Sequence, residues 1–249
     1  MKILILSSND IIFRSLSESA FIGLNQEFDV DLAVENFSPG IISTLKFRIK
    51  KSGLRKGIDQ FLFKIFDIFF LRIKIKNRCK KNFKNIDHFS LNSINSKASK
   101  NFLKEKKYDI IIAVATSIIK KDTLSIPKLG FINVHPGILP NYRGTGNFWA
   151  VKNNDWLNIG TTCHWMEPKI DSGETILKTF YKYKGENIME LNYNSMLDGM
   201  NKLCDTIMNN DLLSNRIQKN NNKSNYYTWY GFAEYFKFLL VKNNYKNNV

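Results

Sequence analysis

The chain has 249 residues, 43% of them hydrophobic. That is enough for one well-packed domain with a smaller appendage, and it excludes wholesale disorder. Lys and Arg number 37 against 22 Asp and Glu, a formal charge of +15; such an excess suits nucleic acid, an anionic membrane surface or phosphorylated substrates, and it also follows from a composition rich in Lys, Asn and Ile.

The opening MKILILSSND is too short for a signal-peptide core and lacks a small-residue cleavage site. Residues 2–7 therefore read as a first buried strand. Residues 11–23 have helical spacing and a stop at Gly23. Residues 28–35 alternate and read as a second strand. A basic, mostly helical stretch follows from about 41 to 84. Within it, residues 57–76 are rich in Phe, Ile and Leu, but Asp59, Lys64, Asp67, Arg72 and Lys74 interrupt the run. No window reaches the roughly 18 uncharged apolar residues of a membrane span. The segment reads as a helix packed on a sheet or at a subunit interface, with an amphipathic helix lying on a membrane as the alternative.

Residues 93–107 read as a helix, 108–115 (YDIIIAVA) as a fully apolar strand, SIIKKDTLS as a short helix or turn, and 130–135 (GFINVH) as the next strand. Two further strands follow at 159–166 and 173–183. After them come a long helix at about 186–212, a polar linker at 218–225 (QKNNNKSN) and a short aromatic tail (YYTWYGFAEYFKFLL). Strands alternating with helices predict an α/β fold. We expect a Rossmann-like, mostly parallel central sheet with helices on both faces, plus a short C-terminal appendage. The expected division is a catalytic domain at 1–183 and a helix-plus-tail subdomain at 184–249.

Cys79, Cys163 and Cys204 lack metal spacing and read as reduced thiols, which points to the cytoplasm. No G-x-G-x-x-G follows the first strand, and neither a phosphate-binding P-loop nor a G-x-S-x-G elbow is present.

The stretch GFINVHPGILPNYRG carries the chemistry. In an extended strand, residues i and i+2 share a face. Asn133 and His135 therefore project together at the carboxyl end of a strand, where α/β sheets gather their chemistry, and Val134 points into the core. Pro136 biases His135 away from helix and keeps the two polar residues aligned. An Asn amide donates hydrogen bonds without a proton of its own to lose. A neutral His can take a proton from an attacking group, and the amide with a protonated imidazole can hold an oxyanion. Together they suit acyl transfer to an amine. EPKIDSGETI offers the carboxylate, Asp171, followed by Gly173, to tune the His and relay protons. On spacing alone, a structural Asn–His pair or coincidence and an ordinary turn aspartate are the commoner readings.

INVHPGILPNYRG followed by GTTCHWMEPKIDSGETI resembles the folate-dependent formyltransferase family, which shares an N-x-H-x-x-x-L-P-x-x-x-G loop and downstream T-x-H and D-x-G elements. YDIIIAVATSIIKKDTLSIPKLG resembles the strand and turn before that loop. The likeness covers residues 90–180 well and 1–35 loosely. It implies N10-formyltetrahydrofolate as donor, a primary amine as acceptor, and no metal. By position, Asn133 would polarise the formyl oxygen, His135 would act as base and oxyanion partner, and Asp171 would set the His protonation state and relay the amine proton. The pterin would lie against the backbone of Thr116, Ser117, Ile118 and Ile119, and against the loop running from Glu167 through Lys169 to Ile170. His164, in the T-x-H element, would border the site or be an ordinary strand histidine. His88 reads as structural.

Three acceptors are separable. Methionyl-tRNA suits the charge, but its enzymes carry a C-terminal barrel, and only about 40 residues follow the long helix here. Glycinamide ribonucleotide enzymes have a Gly-containing phosphate turn where this chain has SSND. Enzymes that formylate nucleotide-linked amino sugars, such as dTDP-4-amino-4,6-dideoxyglucose for O-antigen and lipopolysaccharide, fit best. Their pattern resembles YRG followed by Phe148 and Trp149, and the tail beginning YY, although Tyr230 stands where a Pro is common. Tyr142, Arg143 and Gly144 would frame the sugar. Ser8, Asn9 and Arg14 at the first turn would meet the nucleotide, or Ser8 and Asn9 would simply cap the helix. The aromatic tail (Tyr226, Tyr227, Trp229, Tyr230) would stack on a base or bury a dimer interface. The expected partners are the nucleotide sugar and the folate, in a homodimer with no nucleic acid and no stable membrane insertion. The competing reading is a basic nucleic-acid-binding or membrane-surface module without catalysis.

Overall fold

A computed structural model describes residues 1–37, 40–212 and 225–247. Strand β1 (Lys2–Ser8) sits inside the sheet because both its faces are apolar: Ile3 and Ile5 enter one core cluster, Leu4 and Leu6 another. Each such buried aliphatic contributes roughly 1.5–3 kcal/mol. Helix α1 (Ile11–Leu24) follows, and its N-cap is Asp10, whose carboxylate accepts from the Ile12 amide at 3.0 Å. The cap is therefore neither Ser8 nor Asn9, because the helix starts one residue later than a cap at Asn9 would require.

Strand β2 (Asp29–Glu35) leads to three helices in the basic stretch: α2 (Ile41–Ser52), α3 (Leu54–Phe66) and α4 (Ile73–Asn82), with one π-turn at Asp67–Leu71 joining the last two. A Cβ on Gly57 would lie 2.6 Å from the Ile49 backbone, so glycine there lets α2 and α3 cross closely. These helices pack on one another, on α1 and on the C-terminal helix.

Next come β3 (Phe89–Leu91), a three-residue strand the sequence pattern did not flag, and α5 (Lys97–Lys106), capped by Ser96. Strand β4 (Ile110–Val114), the single turn α6 (Lys121–Leu124) and strand β5 (Gly130–His135) follow. Beyond β5 lie β6 (Arg143–Gly144), α7 (Gly146–Lys152), β7 (Gly160–Trp165) and β8 (Thr175–Phe180). The long helix α8 (Ile188–Met208) is capped by Asn187, whose side chain accepts from the Met189 and Glu190 amides. It buries Met196, Met200, Leu203 and Ile207 in the same cluster as Ile3, Ile5, Ile132 and Val134. The linker expected at 218–225 lies outside the described residues, except for Asn225. The tail is more than a short extension: Tyr226–Tyr227 form strand β9, and Phe232–Asn247 form helix α9.

The seven-stranded sheet has the order β3-β2-β1-β4-β5-β7-β8. Its first five members run parallel, while β7 is antiparallel to β5 and β8 to β7. This is the mostly parallel, Rossmann-like sheet with helices on both faces that the sequence predicts. The order reverses between β1 and β4, so the loops after those two strands flank a crevice at the carboxyl edge.

Candidate active site

Side chains on β5 alternate as a strand requires. Ile132 and Val134 enter the cluster shared with α1 and α8, while Phe131 enters the opposite one. Asn133 and His135 share the face of Phe131 and end the strand. Across the antiparallel ladder Asn133 stands opposite His164, and His135 opposite Thr162. The loop after β7 then brings Asp171 back over both polar residues.

Asn133 Nδ2 lies 3.4 Å from Asp171 Oδ1, and His135 Nδ1 lies 3.6 Å from Asp171 Oδ2. The three residues that the sequence singled out are thus one cluster. Asp171 has a left-handed backbone, φ 49°, a conformation that Asp tolerates better than most residues. Its Oδ2 also accepts from the Gly144 amide at 2.8 Å.

Hydrogen bonds fix both histidine tautomers. The Tyr142 carbonyl, 2.8 Å from His135 Nε2, can only accept, so Nε2 carries a proton and Nδ1 is the basic nitrogen of the neutral ring. That nitrogen faces Asp171. For His164, Nδ1 donates to the Trp165 carbonyl at 2.8 Å. Its Nε2 is left to accept from Asn133 Nδ2 at 3.2 Å, which orients the amide. His164 Nε2 is also 3.7 Å from Asp171 Oδ1.

Burial holds the His135 imidazole below its ordinary value, against the opposing pull of Asp171. The ring is 3% exposed and neutral at neutral pH. Burial alone would raise the Asp171 carboxyl; His135, His164 and the Gly144 amide outweigh it and hold it at about 2. The cluster therefore combines an ionised carboxylate, a neutral imidazole with a defined basic nitrogen, and an oriented amide donor. Such a set can receive one proton and steady a developing oxyanion.

The loop of Tyr142, Arg143 and Gly144 holds the cluster from outside. The Arg143 guanidinium, buried, donates to the Ile170 carbonyl and pins the turn before Asp171. Tyr142 donates its hydroxyl to Asp155 at 2.8 Å. The sequence suggests these residues for the sugar; in the structure the Tyr142 hydroxyl and one Arg143 guanidinium nitrogen bond to protein groups. Strand β9 pairs with β6, and a Cβ on Gly144, at φ 84°, would fall 2.1 Å from the Tyr227 carbonyl. Tyr227 stacks between Tyr142 and Trp149, at 5.5 and 5.1 Å between ring centroids. Thr145 Oγ1 donates to the Thr228 carbonyl at 2.7 Å. This brace by the tail had no signal in the sequence, because it joins residues about eighty positions apart.

In the loop after β4, Ser117 gives both its amide and its hydroxyl to Glu35, at 2.8 and 2.7 Å. Glu35, buried at the end of β2, also accepts from the Ile94 amide at 2.8 Å. Ile119 is buried and Ile118 is 68% exposed, with its carbonyl on Asn95. Thr116 is half-buried. Across the crevice, Glu167 is half-buried and Lys169 exposed, and Ser172 bonds to the Glu167 carboxylate and the Lys169 carbonyl. At the end of β1, Asn9 is exposed. Ser8 Oγ is buried without a hydrogen-bond partner among the described residues. The Arg14 guanidinium lies over the Phe83 ring. His88 is exposed in a loop.

The model of the formyl transferase family matches residues 71–198, just over half of the chain. The chain belongs to the formyl transferase family. It is similar to the methionyl-tRNA formyltransferase of Clostridium tetani, with 36% identity over 125 residues. That match takes in 49% of this chain and 39% of the relative, so the chain spans well under half the length of the curated formyltransferase it matches. Among solved structures, a sugar N-formyltransferase from Shewanella superposes with a TM-score of 0.56 at 16% identity, covering 97% of this chain and 87% of the other. A 4-N formyltransferase from Francisella tularensis gives 0.53 at 21%, covering 91% and 76%. At these identities the likeness establishes the formyltransferase fold.

Proposed function

We propose that this chain is a folate-dependent N-formyltransferase. In this reading it moves a formyl group from N10-formyltetrahydrofolate to the amino group of a nucleotide-linked amino sugar, such as dTDP-4-amino-4,6-dideoxyglucose, for O-antigen or lipopolysaccharide in the cytoplasm. The convergence of Asn133, His135 and Asp171 carries the reading. The folate supplies a one-carbon unit at the oxidation level of formate. Attack by the neutral amine forms a C–N bond and places negative charge on the formyl oxygen, where the Asn133 amide donates. Re-formation of the carbonyl would break the bond between the formyl carbon and N10 of the folate, and the pair of Asp171 and His135 Nδ1 would take the proton released by the amine and give it to that departing nitrogen, so bonds and protons balance. Residues 1–183 supply these groups, and 184–249 steady them through β9.

Residues around the crevice fit the folate. The turn from Thr116 to Ile119 is anchored by Glu35 and Asn95 and offers its remaining backbone groups, opposite the turn of Glu167 and Lys169. Ser8 and Asn9 suit the nucleotide, with His164 and the Tyr142–Gly144 loop behind the sugar. Support for a sugar acceptor comes from the structural likenesses, which run over nearly the whole chain. The +15 charge favours a diphosphate. A homodimer belongs to the same reading, and light scattering checks it.

The test incubates purified chain with N10-formyltetrahydrofolate and a panel of amino-sugar nucleotides, following release of tetrahydrofolate. No release with any sugar ends the acceptor proposal. Methionyl-tRNA is the second reading, favoured by the 36% identity to the C. tetani enzyme. Formylation of charged initiator tRNA alone would replace the acceptor and leave the transfer chemistry standing.

A further inference from the structure

The basic helices carry a surface that the transfer chemistry does not use. Eleven large apolar side chains are exposed between Ile41 and Ile73. Helix α3 buries Gly57, Gln60 and Phe63 against the protein. Its opposite side shows Leu54, Ile58, Leu62 and Ile65. Spacings of four, four and three residues from Leu54 to Ile65 make one stripe along α3, about 16 Å long at helical rise, and Phe69 in the π-turn and Ile73 beyond it extend the exposed apolar surface. Leu54 and Phe69 are 63% and 62% exposed. An aromatic ladder, Phe70–Phe66–Phe232–Phe236, carries the apolar surface onto α9.

Charge accompanies the stripe. Residues 41–84 hold fourteen Lys and Arg against two Asp. Lys46, Lys50, Lys51, Arg55 and Lys56 are among the exposed cations, and no exposed carboxylate occurs in this stretch. Both aspartates are occupied internally: Asp59 accepts from the Phe232 amide at 3.0 Å, and Asp67 pairs with Arg72 at 2.8 Å.

We propose that this face docks in the plane of an anionic lipid surface. Phospholipid headgroups present phosphates to the cations, and the acyl boundary just beneath takes the Leu, Ile and Phe side chains. A second copy of the chain meets the apolar requirement but not the electrostatic one, since a two-fold interface sets this cationic face against itself. Nucleic acid meets the charge and leaves eleven apolar side chains in water. The helices lie on the bilayer and do not enter it, because no described helix is long and apolar enough to cross.

Flotation of the full chain with phosphatidylcholine vesicles, with and without phosphatidylglycerol, tests this. Binding should be at least about tenfold tighter with the anionic lipid and should weaken as salt is raised. Leu62→Glu and Phe69→Glu, both at exposed positions, should each lower vesicle affinity about tenfold with unchanged circular dichroism and Tm. Lys50→Glu combined with Lys51→Glu should do the same. The proposal is overturned if the native chain ignores both vesicle types, or if Leu62→Glu and Phe69→Glu bind as well as wild type. It is also overturned if light scattering shows a dimer that Leu62→Glu dissolves while vesicles are ignored, or if RNA is bound and vesicles are not.

Discussion

Strand β5 and helix α3 are both short and rich in apolar residues, and the fold treats them in opposite ways. Strand β5 lies inside a sheet with helices over both faces, so Phe131, Ile132 and Val134 are all buried. His135 is then buried and Asn133 half-buried, and every distance to Tyr142, His164 or Asp171 falls between 2.8 and 3.6 Å. Helix α3 has protein on one side only, and its second apolar row remains in water. Apolar residues thus do two jobs here. Around β5 they exclude water and set the ionisation of His135; along α3 they exceed what the chain can cover by itself.

The sharpest test of the first half is to remove the polar pair. Asn133→Ala or His135→Ala should lower kcat by about a thousandfold or more, with only a small fall in Tm, since an oxyanion donor and a general base each act in the transition state. A variant with near-normal turnover would sever the cluster from the chemistry. The two rows of α3 should separate next. Phe63→Ala should cost about 3–5 kcal/mol in urea unfolding, whereas Leu62→Glu should stay within about 0.5 kcal/mol. Equal costs would mean that the outer row is covered in the folded chain.

Gly144→Ala should cost about 1–3 kcal/mol and slow turnover, because the added carbon must push Tyr227 and shift the amide that holds Asp171. Unchanged stability and rate would show that β9 is no brace. For pH, the folded value of His135 lies below its unfolded value, so its contribution is intact above the ordinary histidine range, near 6.5, and is lost as pH falls through it. The depressed Asp171 carboxyl adds stability above roughly 4, lost as pH falls toward about 2. In Asp171→Asn the carboxylate no longer lifts the ring, and NMR should find His135 titrating lower still. A wild-type His135 titrating at or above the ordinary value would refute the role given to burial. The smallest effect belongs to Ala115, at φ 53° beside the crevice. Ala115→Gly should raise stability by up to about 1 kcal/mol, read in thermal unfolding, if the left-handed strain exceeds the entropy that glycine adds.

Much of this was legible in advance from particular residues. The apolar runs KILILS and YDIIIAVA require strands covered on both faces, and N-V-H ahead of proline requires two polar side chains on one face. Asp171 could be named from its motif, but its second partner, the Gly144 amide, could not. Nor could the Tyr142 carbonyl, which decides which nitrogen of His135 is basic. The tail read as an aromatic extension because its period is weak, and its helix α9 rests on packing against α3 and α7 and on a cap from Asp59.

By itself, the sequence determined which residues alternate, which segments are apolar enough to lie inside, and which polar side chains share a strand face. These are properties of neighbours along the chain, set by covalent geometry at periods of two and 3.6 residues. Only the tertiary structure decided the tautomers, the ionisation of His135 and Asp171, the bracing of Gly144 by Tyr227, and the outward face of α3. Each of those depends on groups tens of residues apart and on how much water remains between them, which no local pattern encodes.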